Sequence, residues 1–239
     1  MNLYDAPSLF SRIEGNSYVG RGIVAGCTPD GSRAVAAYFI MGRSENSRNR
    51  VFLPDGQNIV IHPYDAAKVE DPSLIIYSPI RVLDKWLIVT NGDQTDTVYD
   101  GLKAGLTFSQ ALQSRSFEPD APNFTPRISA LLQLAPDGFT YQMSILKSAD
   151  SVGSACCRFT FDYPALPGVG HFLHTYVCDG NPLPTFQGEP ERVAIPDDTD
   201  AWADTLWNTL DTQNRIALAV RTVCLRTGES ATKIINKFR

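Results

Sequence analysis

Several features that would identify an enzyme quickly are scarce in this sequence. Histidine, methionine and tryptophan each occur only three times in 239 residues, and the five cysteines include no Cys-x-x-Cys pair. The adjacent Cys156 and Cys157 cannot easily serve one tetrahedral metal site, so a zinc centre is disfavoured and free thiols in a reducing compartment are expected. Basic charge is also short: the net charge is −5 and the pI is near 5.2, which excludes a global field that draws the chain onto nucleic acid or anionic lipid. No stretch approaches the roughly 20 apolar residues that cross a bilayer, and the start, Met1 to Pro7, lacks a basic segment followed by an apolar run. We therefore expect a soluble, cytoplasmic protein with no nucleic-acid or membrane partner. Neither a phosphate-binding P-loop nor a dinucleotide glycine fingerprint is present, so no cofactor and no metal are expected.

What is present is an ordinary globular composition, 43% hydrophobic and 20% charged, with no Gly-, Ser- or Pro-rich linker. This predicts one domain over residues 1–239, with 1–17 a packing extension in which Leu9, Phe10 and Ile13 make one helical face. Turn chemistry recurs: Thr28-Pro29-Asp30-Gly31-Ser32, Pro54-Asp55-Gly56 and Pro136-Asp137-Gly138 each separate two apolar runs and predict three hairpins. Further strands are expected from Leu74 through Tyr77 to Val82, at Trp86–Thr90, and around 139–145, 157–161, 170–177 and 192–195. Helical patterns run from Thr95 to Gly105, Thr107 to Arg115 and Asp198 to Leu210, and the helical reading resumes from Thr212 to Arg221. Hairpin strands flanked by helices imply an α+β protein with two antiparallel sheets stacked between helical layers.

Three groups of residues carry a family pattern. The first is Tyr18-Val19-Gly20-Arg21, Ala36-Ala37-Tyr38, Arg43-Ser44 and Asn49-Arg50; the second is Thr90-Asn91-Gly92-Asp93-Gln94-Thr95 with the run from Phe117 to Ile128; the third is Gly180 to Pro190. Together they resemble the archaeal-type IMP cyclohydrolases from Tyr18 to about Arg221. The resemblance implies a four-layer αββα sandwich similar to the N-terminal-nucleophile hydrolases. The chain begins Met1-Asn2-Leu3, which presents no terminal Ser, Thr or Cys as nucleophile. The implied activity is cofactor-free ring closure of the formylated aminoimidazole carboxamide ribotide (FAICAR) to IMP with loss of water, the last step of de novo purine synthesis.

That reaction joins two ends of one molecule, and a carboxamide nitrogen is a poor nucleophile. Catalysis needs an enforced near-attack geometry, a donor for the oxyanion on the formyl oxygen and a group to take the nitrogen proton. The loop 43–50 concentrates Arg43, Arg48 and Arg50 with Asn46 and Asn49, and is either a solvated loop or a substrate-binding one; the resemblance favours binding through Arg43, Ser44, Asn49 and Arg50, with Arg48 the weakest candidate. Asn46 competes with Asn49 for the family's amide position. Tyr77 is either a core aromatic or a phenol donating to the formyl oxygen, and Glu118 opens a proline-bounded loop where a carboxylate either solvates a helix end or orients or deprotonates the carboxamide. The catalytic candidates are Tyr77, Glu118 and Arg43. Arg21 and Tyr38 fall on adjacent hairpin strands, where they either face one pocket or serve structure alone. Asn91-Gly92-Asp93 is either a ribose- or phosphate-binding turn or an ordinary turn and cap. His171 and His174 fall on opposite faces of a strand, which disfavours a shared metal. Rival functions are an amide hydrolase on the same fold, a nucleotide-binding protein without turnover, and the same closure on a modified ribotide. Exposed strand edges and the family's habit suggest a homo-oligomer.

Overall fold

The computed structural model describes residues 4–69 and 76–238. In chain order the elements are α1 (Phe10–Ile13), β1 (Arg21–Cys27), β2 (Arg33–Met41), α2 (Glu45–Arg48), β3 (Val51–Asp55), β4 (Asn58–His62), β5 (Ile80–Leu83), β6 (Trp86–Thr90), α3 (Gln94–Lys103), α4 (Phe108–Ala111), β7 (Arg127–Ala135), β8 (Gly138–Ser148), β9 (Cys156–Pro164), β10 (Val169–His174), β11 (Glu191–Ala194), α5 (Thr199–Thr209), β12 (Arg215–Cys224) and β13 (Ser230–Asn236). All three Pro-Asp-Gly turns close hairpins. In the first, the Asp30 carboxylate accepts the Thr28 hydroxyl at 2.6 Å and the Ser32 amide at 3.0 Å while Gly31 takes φ +73°, a conformation that suits glycine.

The strands form two antiparallel sheets. One has the order β11-β10-β1-β2-β12-β13, and the other runs in sequence order from β3 to β9. Ile23, Ala25, Ala36, Tyr38 and Ala219 of the first sheet pack against Ile59, Val89, Ile128, Leu132 and Met143 of the second. The opposite face of the first sheet, with Val24, Phe39 and Leu218, is covered by Ile13 of α1 and Trp202, Ala203 and Leu206 of α5. The outer face of the second sheet, with Ile88, Leu131 and Leu146, is covered by Val98 and Leu102 of α3 and Phe108 of α4. The order of layers is therefore helix, sheet, sheet, helix. Asp198 caps α5 by accepting the Ala201 amide at 2.9 Å, and Thr107 forms a capping box with Gln110 at the start of α4. Among the described residues no helix is long and apolar enough to cross a membrane.

Two expectations are corrected. The segment 212–221 is not helical: Arg215–Cys224 is a central strand, paired to β2 on one side and β13 on the other. Ile216 through Val223 are all buried, Ala217 and Ala219 toward the inter-sheet core and Leu218 and Val220 toward α5, so the apolar run Ile216 to Val220 shows no alternation of period two, and Arg221 and Thr222 after it are buried as well. The strand expected from Leu74 is shorter; Leu74 and Ile75 lie outside the described residues, and Ile76 to Pro79 precede β5 without strand geometry. Leu206 is fully buried between α5 and the first sheet. Leu206→Ala should lower stability by about 2–5 kcal/mol, the usual range for a core leucine truncation, read from the midpoint of denaturant unfolding.

Candidate active site

Several strand ends meet at one end of the sandwich. There β1 begins at Arg21, β2 ends at Met41, β10 ends at His174 and, from the second sheet, β7 begins at Arg127. The segments leaving these ends enclose a cavity of about 340 Å³ lined by Tyr18, Arg21, Arg43, Ser44, Asn46, Ser47, Arg50, Glu118, Asp120, Asn123, Thr125, Tyr176 and Leu183.

The loop after β2 is folded tightly onto itself. A Cβ at Gly42 would lie 2.6 Å from the Ser47 Oγ and 2.9 Å from its carbonyl oxygen, so only glycine fits. Ser44 caps the one-turn α2 by accepting the Ser47 amide at 3.2 Å. Arg48 turns away from the cavity and donates to the Gly42 carbonyl and to Asn214. Arg50 is 3% exposed, and its Nε donates to the Ser47 carbonyl at 3.0 Å. At the rim, Arg43 Nη1 donates to Asp179 at 2.5 Å and to the Gly180 carbonyl at 2.9 Å, and its guanidinium lies 5.2 Å from the centre of the Tyr18 ring.

The opposite wall is organised by Asp120. Its Oδ1 accepts the Thr125 amide at 2.6 Å and its Oδ2 the Thr125 hydroxyl at 2.5 Å, while the Glu118 amide donates to the Thr125 carbonyl at 2.9 Å. Glu118 remains partly open to the cavity, yet burial raises its carboxyl above the ordinary range against the pull of Arg21 and Arg127. Burial disfavours the Arg21 cation, but Glu118 with Tyr18, Tyr176 and Tyr77 together outweigh it and strengthen the hold of Arg21 on its proton. Arg50 is weakened as an acid-base pair by burial and by the like charge of Arg21, although it stays protonated as arginines do. Behind the arginines, the hydroxyls of Tyr38 and Tyr77 meet at 2.8 Å; burial raises both phenols, so both are neutral.

Among the described residues five buried side-chain atoms have no hydrogen-bond partner, and three of them belong to residues of this cavity: Arg21 Nε, Asn46 Oδ1 and Arg50 Nη1. Buried polar atoms without a protein partner are bonded by water or by a ligand, and here they are two donors and one acceptor on one wall.

The signature of IMP cyclohydrolase-like proteins matches residues 18–227. The chain belongs to that family. An IMP cyclohydrolase of Methanopyrus kandleri is 37% identical over 128 residues, covering 52% of this chain and 61% of that protein. One from Methanocella arvoryzae is 34% identical over 119 residues, 48% of this chain and 57% of its own length, and one from Methanococcus aeolicus is 29% identical over 165 residues, 67% and 75% respectively. The match thus spans about three-fifths of the first two relatives.

With family membership in hand, the expected residues fall into two groups. Arg21, Arg43, Ser44, Arg50 and Glu118 line the cavity, with Tyr38 and Tyr77 behind it. Asn49 does not line it: its Nδ2 donates to the Asp65 carbonyl at 2.8 Å and its Oδ1 accepts the Asp65 amide at 2.7 Å, so both ends of the amide are spent on backbone. Asn46 takes the place on the wall. Asn91, Gly92 and Asp93 also lie outside it. Asn91 holds the Pro126 carbonyl and the Ile128 amide; a Cβ on Gly92 would meet the Arg127 guanidinium at 2.5 Å. Asp93 pairs with Arg115 and Arg127, which hold its carboxyl below the ordinary range although burial alone would raise it. These three brace the start of β7 behind the Glu118 loop. His171 bonds the Tyr141 hydroxyl and His174 the Tyr176 carbonyl; burial lowers both to about 4, so both are uncharged at neutral pH. No group of three or more potential metal ligands occurs among the described residues.

Tyr18, Asp120, Asn123, Thr125, Tyr176 and Leu183 were not singled out as site residues from the sequence, although all but Tyr176 lie inside the stretches that carry the family pattern. Because burial raises the Glu118 carboxyl, folding favours its protonated form: the stabilisation is full below the unfolded carboxyl range and is lost as pH rises through the folded value. Glu118→Gln should therefore melt at a higher temperature than the parent protein at neutral pH, with the difference fading toward pH 4 in a thermal-unfolding series.

Proposed function

We propose that this chain is a cytoplasmic IMP cyclohydrolase that closes the pyrimidine ring of FAICAR without a cofactor. The observation that carries the reading is the cavity itself, in which unpartnered guanidinium N–H groups of Arg21 and Arg50 and the unpartnered Asn46 oxygen surround a carboxylate with a raised affinity for protons. Family membership and the named relatives supply the substrate class. The helix–sheet–sheet–helix layering also agrees with a fold like that of the N-terminal-nucleophile hydrolases.

In this reading the substrate lies with its formyl oxygen against the Arg21 and Arg50 donors, which stabilise the oxyanion that forms as the carboxamide nitrogen attacks. Glu118 takes the proton lost by that nitrogen, and its raised pKa makes it a stronger base than a free carboxylate. Only one of the two hydroxyl protons of Tyr38 and Tyr77 is used between them, so the other is left to donate toward the departing oxygen. The protonated Glu118 returns the carboxamide proton to the oxyanion to give the carbinolamine, then carries the proton of the former formamide nitrogen to the hydroxyl, which leaves as water and restores the carboxylate. Arg43, tied to Asp179 at the rim, holds the ribotide by charge. An amide hydrolase on this fold would instead need a terminal nucleophile, which an intact-mass measurement of the purified protein would reveal through processing.

Purified protein dialysed against chelator should convert FAICAR to IMP well above the uncatalysed rate, followed by absorbance and chromatography. Glu118→Gln should lower kcat by about 100-fold or more and Tyr77→Phe by about 10-fold with the fold intact, in the range for loss of a general base or donor. Arg43→Ala should mainly raise KM. Tight IMP binding without turnover would replace the enzyme by a nucleotide-binding protein, and unchanged turnover in both Glu118→Gln and Tyr77→Phe would remove the assignment of these residues.

A further inference from the structure

The hydrogen bonds on the Asp120 wall have a direction. A carboxylate only accepts, and the two Asp120 oxygens take the amide and the hydroxyl of Thr125 at 2.6 and 2.5 Å. The single hydroxyl proton of Thr125 is thereby committed. The same Thr125 oxygen lies 2.5 Å from the Tyr176 hydroxyl, and having no second proton it must accept there. Tyr176 is consequently the donor, and its only proton points at Thr125. The ring cannot swing to another partner: it is 1% exposed and stacked on Tyr18 with centroids 5.9 Å apart, and it packs so closely on the chain that a Cβ at Gly20 would come within 2.6 Å of its edge. Tyr176 lines the cavity, and the only hydrogen-bonding capacity its hydroxyl has left is a lone pair.

The cavity is otherwise rich in donors, from Arg21, Arg43 and Arg50, so an acceptor held in a fixed orientation selects for a ligand group bearing hydrogen. Building on the ribotide reading above, we propose that Asp120 is a positioning residue that, acting through Thr125, fixes the Tyr176 oxygen as a hydrogen-bond acceptor for an N–H or O–H of the bound ribotide.

Two variants perturb this orientation by different means. In Asp120→Asn the side-chain oxygen faces the Thr125 amide, which leaves the NH₂ group facing the Thr125 hydroxyl. That reverses the chain: Thr125 now donates to Tyr176, and the Tyr176 proton turns into the cavity where an acceptor stood. The shape is kept, but the negative charge near Glu118 is lost. Thr125→Val keeps that charge and removes the partner that holds the Tyr176 proton. The two share only the released orientation, and Thr125→Ser restores the hydroxyl.

The test is calorimetric binding of IMP, with kcat and KM for FAICAR measured in parallel. Asp120→Asn and Thr125→Val should each weaken IMP binding by about ten-fold or more, the scale of one misdirected buried hydrogen bond, and raise KM more than they lower kcat; Thr125→Ser should return binding to within about two-fold of the parent. Comparison with 2′-deoxy-IMP identifies the donor. If it is the ribose 2′-hydroxyl, the parent's preference for IMP over the deoxy form disappears in Asp120→Asn; if it is a base N–H, both ligands weaken alike. Parent-like affinity in both Asp120→Asn and Thr125→Val would overturn this assignment alone, whereas a parent protein that binds no ribotide would overturn it together with the function proposed above.

Discussion

The buried guanidinium groups of Arg21 and Arg50 share one partly desolvated space with the Glu118 carboxylate, and much of the architecture serves to keep them there. Arg21 and Arg50 repel each other, and Glu118 offsets the repulsion without leaving either arginine fully bonded. An isolated buried charge would normally escape to water or lose its ionisation, and arginine can do neither here: Arg21 opens a central strand, and Arg50 is tied through Nε to its own loop just before β3 begins. The energy held in these unmet bonds is available to a ligand whose oxygen atoms meet both groups at once.

Keeping such a cluster in place requires rigid loops, and the loops are rigid for identifiable reasons. Gly42 lets the chain double back on Ser47, and Asn49 pins the same loop to Asp65 by closing both ends of its amide on backbone. On the other wall Asp120 and Thr125 lock the loop that presents Glu118, and Asn91, Asp93, Gln94 and Arg127 brace the strand from which that loop departs. A substitution in this outer ring is expected to act on geometry, and through geometry on the reacting groups.

How much of this could be read from the sequence depended on whether the signal was local. Pro-Asp-Gly turns carry their conformation in three residues, so all three hairpins and the two-sheet arrangement were legible. The Arg215–Cys224 strand was not, because a strand buried on both faces carries a non-alternating apolar run, here Ile216 to Val220, that also fits a helix, and only its neighbours β2 and β13 decide the matter. The cavity shows the same division. Arg21, Arg50 and Glu118 stood out through residue type and family pattern, whereas the choice between Asn46 and Asn49 rested on where Asp65 lies, and the likeness of Asn91-Gly92-Asp93 to a binding turn concealed its pairing with Arg115 and Arg127. Tyr176 and Leu183 are distant in sequence from the arginines and Glu118, and the pairing of β10 with β1 brings Tyr176 beside them.

The placement of the site follows from the layering. Between the sheets the core is apolar and built partly from alanines such as Ala25, Ala36, Ala130 and Ala219, which leaves no room for a polar ligand. At the strand ends the side chains diverge into loops, and polar groups can be brought together with one side still open. The intramolecular ring closure proposed above suits such a place, because it needs no second substrate to be bound and no cofactor to be housed. What it demands is that one flexible molecule be folded so that nitrogen meets carbon while the oxygen meets positive charge. A small cavity with fixed donors on one wall and a proton acceptor beside them meets that demand, provided its hydrogen bonds cannot reorient; the paired bonds from Thr125 to the Asp120 carboxylate hold the direction of one wall.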